Sequence, residues 1–373
     1  MYDALIIGAG LAGSSLAAAL ASHGWDVLLV ERDHFPRHKV CGEFLSPEVQ
    51  RSLQALGLHA DVAALAPAPV QHARLVTQTG RVVELPLPGC AWGLSRYAMD
   101  RALATAAEQR GATLWTGATV KDYQCTDNGY VVQVRKSEEM INVPTRALIA
   151  ACGRHSQAAL PPKERPLARD QQFVGVKCHY AGVIMPAQVE LFLFPGGYAG
   201  INPVEQDRVN VCLLASYPAF AQAGKRVDKM LTAAAYANPA LGQRLAEGQA
   251  RSETAASVAP VDVYRPAAPW TGIACIGDAA VMIPPFCGDG MAMALRSAEL
   301  CAPLAHAFLQ GTLSLDGWAA TYQKIWHAEF DQRLRIARLL QRALNIPWLS
   351  NLGVDIGRLM PSLGAYLVQA TRG

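Results

Sequence analysis

The hydrophobic pattern breaks early and sharply. Ala4-Leu-Ile-Ile7 is an unbroken apolar run of the kind buried in a parallel sheet, and Gly8-Ala-Gly10-Leu-Ala-Gly13 follows at once. The alanine-rich stretch Ser14 to Ser22 predicts a helix that His23-Gly24 ends. Val27-Leu-Leu-Val30 then predicts a second strand, closed by Glu31. No charged residue falls between Ala4 and Ser22, a length that could mimic a membrane span. The glycines interrupt it, and Tyr2-Asp3 is not a basic leader. The pattern therefore predicts strand, turn and helix, and neither a signal peptide nor a transmembrane helix.

Further along, Phe35 to Glu43 reads as a loop and Glu48 to Leu56 as a helix. Alternating residues predict strands Ala73 to Thr77 and Arg81 to Leu85, joined at Thr79-Gly80. Leu94-Ser-Arg96 opens a helix from Tyr97 to Arg110, with Gly111 as its C-cap. Short strands follow at Thr113 to Trp115, Val120 to Cys125, Tyr130 to Arg135 and Ala147 to Ala151. Phe173 to Leu214 predicts antiparallel strands, and residues 227 to 250 a helical stretch. From Phe330, four arginines (333, 335, 338 and 342) alternate with leucines and Ile336 in a basic amphipathic helix.

The opening unit is a βαβ element carrying the dinucleotide fingerprint in its required context. Glu31 stands eighteen residues beyond Gly13, near the distance expected of the acid that binds a ribose. The glycines allow a tight turn, close approach of a pyrophosphate and close helix packing, and the helix N-terminus offers N–H groups to the phosphates. A second signal lies far away. Gly272 to Ile276 predicts a strand, Gly277-Asp278 a turn, and Pro284-Pro285 to Gly290 a loop before a helix from Met291 to Cys301. Two such elements in one chain fit an extended cofactor such as FAD.

Composition sets outer bounds. With 373 residues, 51% hydrophobic and 17% charged, the chain can bury a large core in two or three structural units, which excludes wholesale disorder. A net charge of +3 is too small to point to nucleic acid. Nine cysteines occur without a CxxC pair or a Cys/His cluster at metal spacing, so no metal is expected. Their odd number and the missing leader lead to an expectation of reduced thiols in a cytoplasmic protein.

Three stretches together, Gly8 to Gly13 with Glu31, Leu94-Ser-Arg96 with Asp100, and Gly277-Asp278 through Gly290, resemble the FAD-dependent oxidoreductases and monooxygenases with the p-hydroxybenzoate-hydroxylase fold. The run Phe35-Pro-Arg-His-Lys-Val-Cys41-Gly-Glu43 resembles the branch holding geranylgeranyl reductases and flavin halogenases. The resemblance implies an α/β, Rossmann-type FAD-binding fold with an inserted antiparallel β-sheet substrate domain and a helical C-terminal region. The expected division is residues 1–70, 93–160 and 261–310 for FAD, 71–92 and 161–260 for substrate, and 311–373 for the helical region. It also implies that Gly8, Gly10, Gly13 and Arg96 contact the diphosphate, Glu31 the ribose and Asp278 the ribityl chain. Gly288, Gly290 and Met291 would approach the flavin ring, and Arg32, Cys41, Val120 and Gly277 complete the cofactor contacts. Two departures stand out: Cys152-Gly153 replaces an Asp-Gly pair that many members carry, and the paired-tryptophan motif of tryptophan halogenases is absent.

In such enzymes the flavin carries the chemistry, while the protein supplies position and excludes water. The leading expectation is a monooxygenase that hydroxylates an aromatic or polyketide-like small molecule through a flavin hydroperoxide, with NAD(P)H or another donor supplying electrons. The alternative is a reductase of isolated double bonds in an isoprenoid, favoured by the Cys41 motif and by the basic helix, which could touch a membrane surface. A third reading is a non-enzymatic FAD-binding protein that binds or matures a partner. Cys41, Cys287 and Pro285 are the candidate catalytic residues, and His179, Tyr198 and Asn202 the candidate substrate contacts.

Overall fold

The structure is a computed structural model, described for residues 1–154, 172–344, 351–352 and 354–355. Its first sheet has Tyr2–Ile7 at the centre, flanked in parallel by Val27–Val30 and by Glu139–Ala150. Thr113–Trp115 extends the Val27–Val30 side in parallel. Beyond Glu139–Ala150 the sheet turns antiparallel through Gly129–Lys136 and Ala118–Thr126, while Ala274–Cys275 pairs in parallel with the last turn of Glu139–Ala150. The central residues Ala4 to Ile7 and Val27 to Val30 are all buried. That is why their sequences run apolar without alternation. Helices Leu11–Ser22, Arg96–Gln109 and Gly290–Leu309 cover this sheet, giving the Rossmann-type layer expected.

The second sheet has eight strands in the order Gln249–Val261, Phe173–Ala181, Arg208–Ser216, Gly197–Val204, Gln188–Phe194, Ala68–Val76, Val82–Gly93 and Phe44–Leu45. It is antiparallel except where Gln188–Phe194 meets Ala68–Val76. One face packs on helices Tyr217–Gln222, Val227–Ala237 and Pro239–Leu245, and the other turns towards the first sheet.

The predicted helical stretch 227 to 250 is two helices, and its end is already strand. Asn238 makes the break: its side chain accepts from the N–H of Ala240 and Leu241, Pro239 follows at the first helical position, and its amide donates to Leu193 O at 2.9 Å. The basic helix begins well before Phe330. It runs from Leu315 to Leu344, burying Trp318, Tyr322, Trp326, Phe330 and Leu334 along one stripe. Arg333 pairs with Glu329 at 2.7 Å, Arg338 donates to Arg265 O at 2.6 Å, and Arg342 lies over the Tyr264 ring. Among the described residues no helix is long and apolar enough to cross a membrane. The stretch Ala4 to Ser22 is instead strand, glycine turn and helix.

Candidate functional site

The glycine loop sits where the first strand meets its helix. Gly8 has φ +102°, and a Cβ there would lie 2.6 Å from Ala151 O. A Cβ on Gly13 would stand 1.9 Å from Gly8 O, so only glycine lets helix and strand meet this closely. Gly10 is different. It starts the helix without a side-chain cap, and a Cβ there would meet only Arg96 Nη2 and Lys39 Nζ, at 3.7 and 3.8 Å. An uncapped helix N-terminus beneath two cations is a cradle for a diphosphate.

Glu31 closes the second strand and is buried. Its Oε2 accepts from Ala9 N at 2.9 Å and from Arg37 Nη2 at 3.0 Å, and Oε1 accepts from Asp33 N at 3.1 Å. Arg96 grips Asp100 through Nε and Nη2 at 2.6 and 2.9 Å, and Arg37 reaches the same carboxylate at 3.1 Å. Burial alone would raise the Asp100 carboxyl, but Arg96 and Lys39 hold it below its ordinary range.

Asp278 follows the short strand Ala274–Cys275, in a single helical turn. Burial raises its carboxyl above the ordinary range, while Arg154, Arg96 and Lys39 oppose the rise. Such a carboxylate is suited to accept hydrogen bonds from a polyol that replaces water. Gly288 has φ +72° and precedes the uncapped start of helix Gly290–Leu309.

These features share one cavity of about 820 Å³. It runs from Gly8 and Glu31 past Arg96 and Asp278 to an apolar wall on the second sheet, where Leu75, Leu85, Leu191 and Leu214 meet Leu340 of the long helix. Arg32, Cys41, Pro285, Cys287, Gly277, Gly288, Gly290 and Met291 also line it. Gly13 lies behind the loop, and Val120 stands apart, buried in the core of the first sheet. No disulfide joins Cys41 to Cys287. Cys152, beside Gly153, lines the cavity too, its thiol pushed by burial up to about 12.

The three candidate substrate residues divide. Tyr198 lines the cavity against Phe286, at 5.4 Å between rings, with a buried hydroxyl that has no hydrogen-bond partner among the described residues. Burial raises this phenol well above its ordinary range. Asn202 also lines the cavity, while its amide holds a loop by donating to Glu43 O at 3.2 Å. His179 is fully buried, with Nε2 at 2.6 Å from Glu43 Oε2. Sequence reasoning missed Glu43, Lys177 and Arg154. A signal for one was present: a lysine within the apolar strand Phe173-Val-Gly-Val-Lys-Cys-His-Tyr, on the same face as His179.

Residues 1–320 match a family model described as FAD binding domain. The chain is 27% identical over 356 residues to digeranylgeranylglycerophospholipid reductase 2 of Methanopyrus kandleri, covering 90% of this chain and 85% of that one. It is 24% identical over 384 residues to menaquinone reductase of Mycobacterium tuberculosis, covering 99% and 88%. A geranylgeranyl bacteriochlorophyll reductase-like protein from Thermoplasma acidophilum shares the fold, with a TM-score of 0.77 at 24% identity over 95% of this chain and 91% of the other. The residues present fit FAD: an uncapped helix start beneath Arg96 and Lys39, Glu31 at the end of the second strand, and a half-buried Asp278 on the shared cavity.

Proposed function

The chain belongs to the FAD-binding-domain family and is an FAD-dependent oxidoreductase, and from that premise we propose that it reduces isolated carbon–carbon double bonds in an isoprenoid chain. The observation that carries this reading is the continuity of the cavity, from the dinucleotide cradle to a wall of leucines under the long helix. An alkene without polar neighbours needs a dry, apolar slot beside the cofactor. The relatives that match over most of their length are named for reduction, and their names specify a digeranylgeranyl lipid and a menaquinone. These relatives favour reduction over the hydroxylation expected first.

Bound FAD supplies the hydride chemistry. The loop Gly8 to Gly13, with Arg96 and Lys39, would hold its diphosphate, Glu31 its ribose and Asp278 its ribityl chain. The uncapped start of helix Gly290–Leu309 would favour negative charge at the ring. Leu75, Leu85, Leu191 and Leu214 exclude water from the substrate side, and the Tyr198 hydroxyl is a polar group on that wall.

The reading is tested by reducing the holoenzyme with dithionite in the absence of oxygen and adding a geranylgeranyl lipid. Return of oxidised flavin absorbance on addition of the lipid supports it. Indifference to the lipid, coupled with oxygen-dependent turnover of an aromatic compound, favours the monooxygenase instead.

A further inference from the structure

Glu43 holds an unusual backbone. Its φ is +53°, and it is the buried member of the non-glycine residues with positive φ among those described. A left-handed conformation at a side-chain-bearing residue costs energy and persists where the surroundings enforce it. Here they do so completely. The Glu43 N–H donates to Cys41 Sγ at 3.4 Å, and its carbonyl accepts from Leu94 N at 3.0 Å and from Asn202 Nδ2. Its carboxylate takes the Arg96 N–H at 2.8 Å, His179 Nε2 and the ammonium of Lys177. All three charged or titratable side chains are fully buried. Burial would raise the Glu43 carboxyl, but Lys177 and His179 bring it below the ordinary range.

Lys177 and His179 stand two residues apart on one face of their strand, and Gly175 continues that face. A Cβ on Gly175 would come within 2.9 Å of Val40 Cγ1, so the loop lies flat on the strand there. Asn210 donates to both Cys41 O and Gly42 O, at 3.0 and 2.8 Å. His38 stands edge-on to His179 and stacks on Tyr97. The loop 38–43 is thus pinned to the substrate sheet by charge and amide contacts. Through Leu94 and Arg96 it is pinned to the start of the helix that carries the Arg96–Asp100 pair.

Apolar side chains of similar volume would fill this space at lower desolvation cost. We infer that Glu43, Lys177 and His179 are positioning residues, a buried clamp that fixes the Cys41–Gly42 loop at the seam between the dinucleotide layer and the substrate sheet. Cys41 and Gly42 line the shared cavity, so slack in the clamp would move one of its walls. This inference rests on FAD binding at the cavity and is independent of which substrate is reduced.

The test uses the FAD-loaded protein, the single variant Lys177→Met, the charge-neutral double variant Glu43→Gln/Lys177→Met, and Lys177→Arg. Alkylation by iodoacetamide is followed cysteine by cysteine with peptide mass spectrometry, alongside the flavin absorption spectrum. Cys90 and Cys125 are exposed and serve as internal references. The clamp predicts that Cys41 alkylation in the double variant accelerates by about tenfold or more, because local opening of the loop becomes easier, while the reference cysteines are unchanged. It also predicts a shifted flavin spectrum, and recovery of slow Cys41 alkylation in Lys177→Arg. If Lys177→Met does not fold, the double variant still decides, since it leaves no lone buried charge between the two positions. Unchanged Cys41 alkylation and an unchanged spectrum in the double variant would overturn the inference. So would an equal acceleration at the buried Cys275 and Cys301, which marks general loosening.

Discussion

At the level of single residues, the site is a set of charges placed against burial. Asp278 lies where burial raises its carboxyl, with Arg154, Arg96 and Lys39 only partly offsetting that rise. Its charge is therefore unfavourable for the empty fold and useful for a bound polyol. Asp278→Asn is expected to keep or raise the thermal midpoint of the FAD-free protein, while weakening FAD binding by about tenfold or more, as for a lost charge-assisted hydrogen bond. Flavin fluorescence titration and a thermal scan check both halves. Unchanged affinity would remove Asp278 from the cofactor site.

The same scale sets the response to acid. Burial works against the charges on Glu43 and Asp100, but Lys177 with His179, and Arg96 with Lys39, hold both carboxyls below the ordinary range. Their stabilisation is complete above the unfolded value of about 4 and is lost as pH falls through the lower native values. His38 adds an earlier loss. Burial, then Lys177 and His179, lower it to about 4, so below the ordinary histidine value the unfolded chain takes up a proton that the folded chain refuses. The urea midpoint should thus decline as pH drops from about 6.5 towards 4, and His38→Phe should flatten that part of the curve. A midpoint constant over this range would contradict the assignment.

The glycine loop with Glu31 and the Asp278 turn were legible because each is a contiguous motif whose chemistry is local. Glu43 and Lys177 were not, and His179 was expected against substrate and not against Glu43, since the fold joins positions more than a hundred residues apart. The period-two spacing of Gly175, Lys177 and His179 marks a polar face inside a buried strand, but not what it meets.

Among the elements, the long helix Leu315–Leu344 shows how a pattern read from one end misleads. Its arginines suggest a surface for anionic lipid. In the fold, Arg333, Arg338 and Arg342 have partners within the protein, and the buried stripe Trp318, Tyr322, Trp326, Phe330 and Leu334 sets its orientation. Tyr322 donates to Cys275 O at 3.1 Å, on the strand that leads to Asp278. The helix therefore braces the Asp278 turn as well as lining the cavity. Trp326→Ala is expected to cost about 3–5 kcal/mol, as for large-to-small changes in a core, read as a fall in urea midpoint. A change within error would mean the stripe repacks freely. The split of 227–250 escaped periodicity because both halves are apolar; the Asn238-Pro239 pair that divides them was the local signal.

For the whole molecule, what matters is that two sheets of different topology enclose one cavity. The dinucleotide layer was readable from fingerprints. The second sheet was readable only as antiparallel strands, because its leucine wall is assembled from strands distant in sequence. That wall underlies the proposal of isoprenoid reduction, and product mass tests it most directly. Holoenzyme supplied with dithionite and a geranylgeranyl lipid under anaerobic conditions should yield lipid carrying two added hydrogens per reduced bond. In deuterated water, both of each pair should be deuterium, since dithionite supplies electrons only and both hydrogens come from solvent. Lipid recovered unchanged, together with an aromatic product bearing one added oxygen atom when air and a pyridine nucleotide are supplied, would contradict the account.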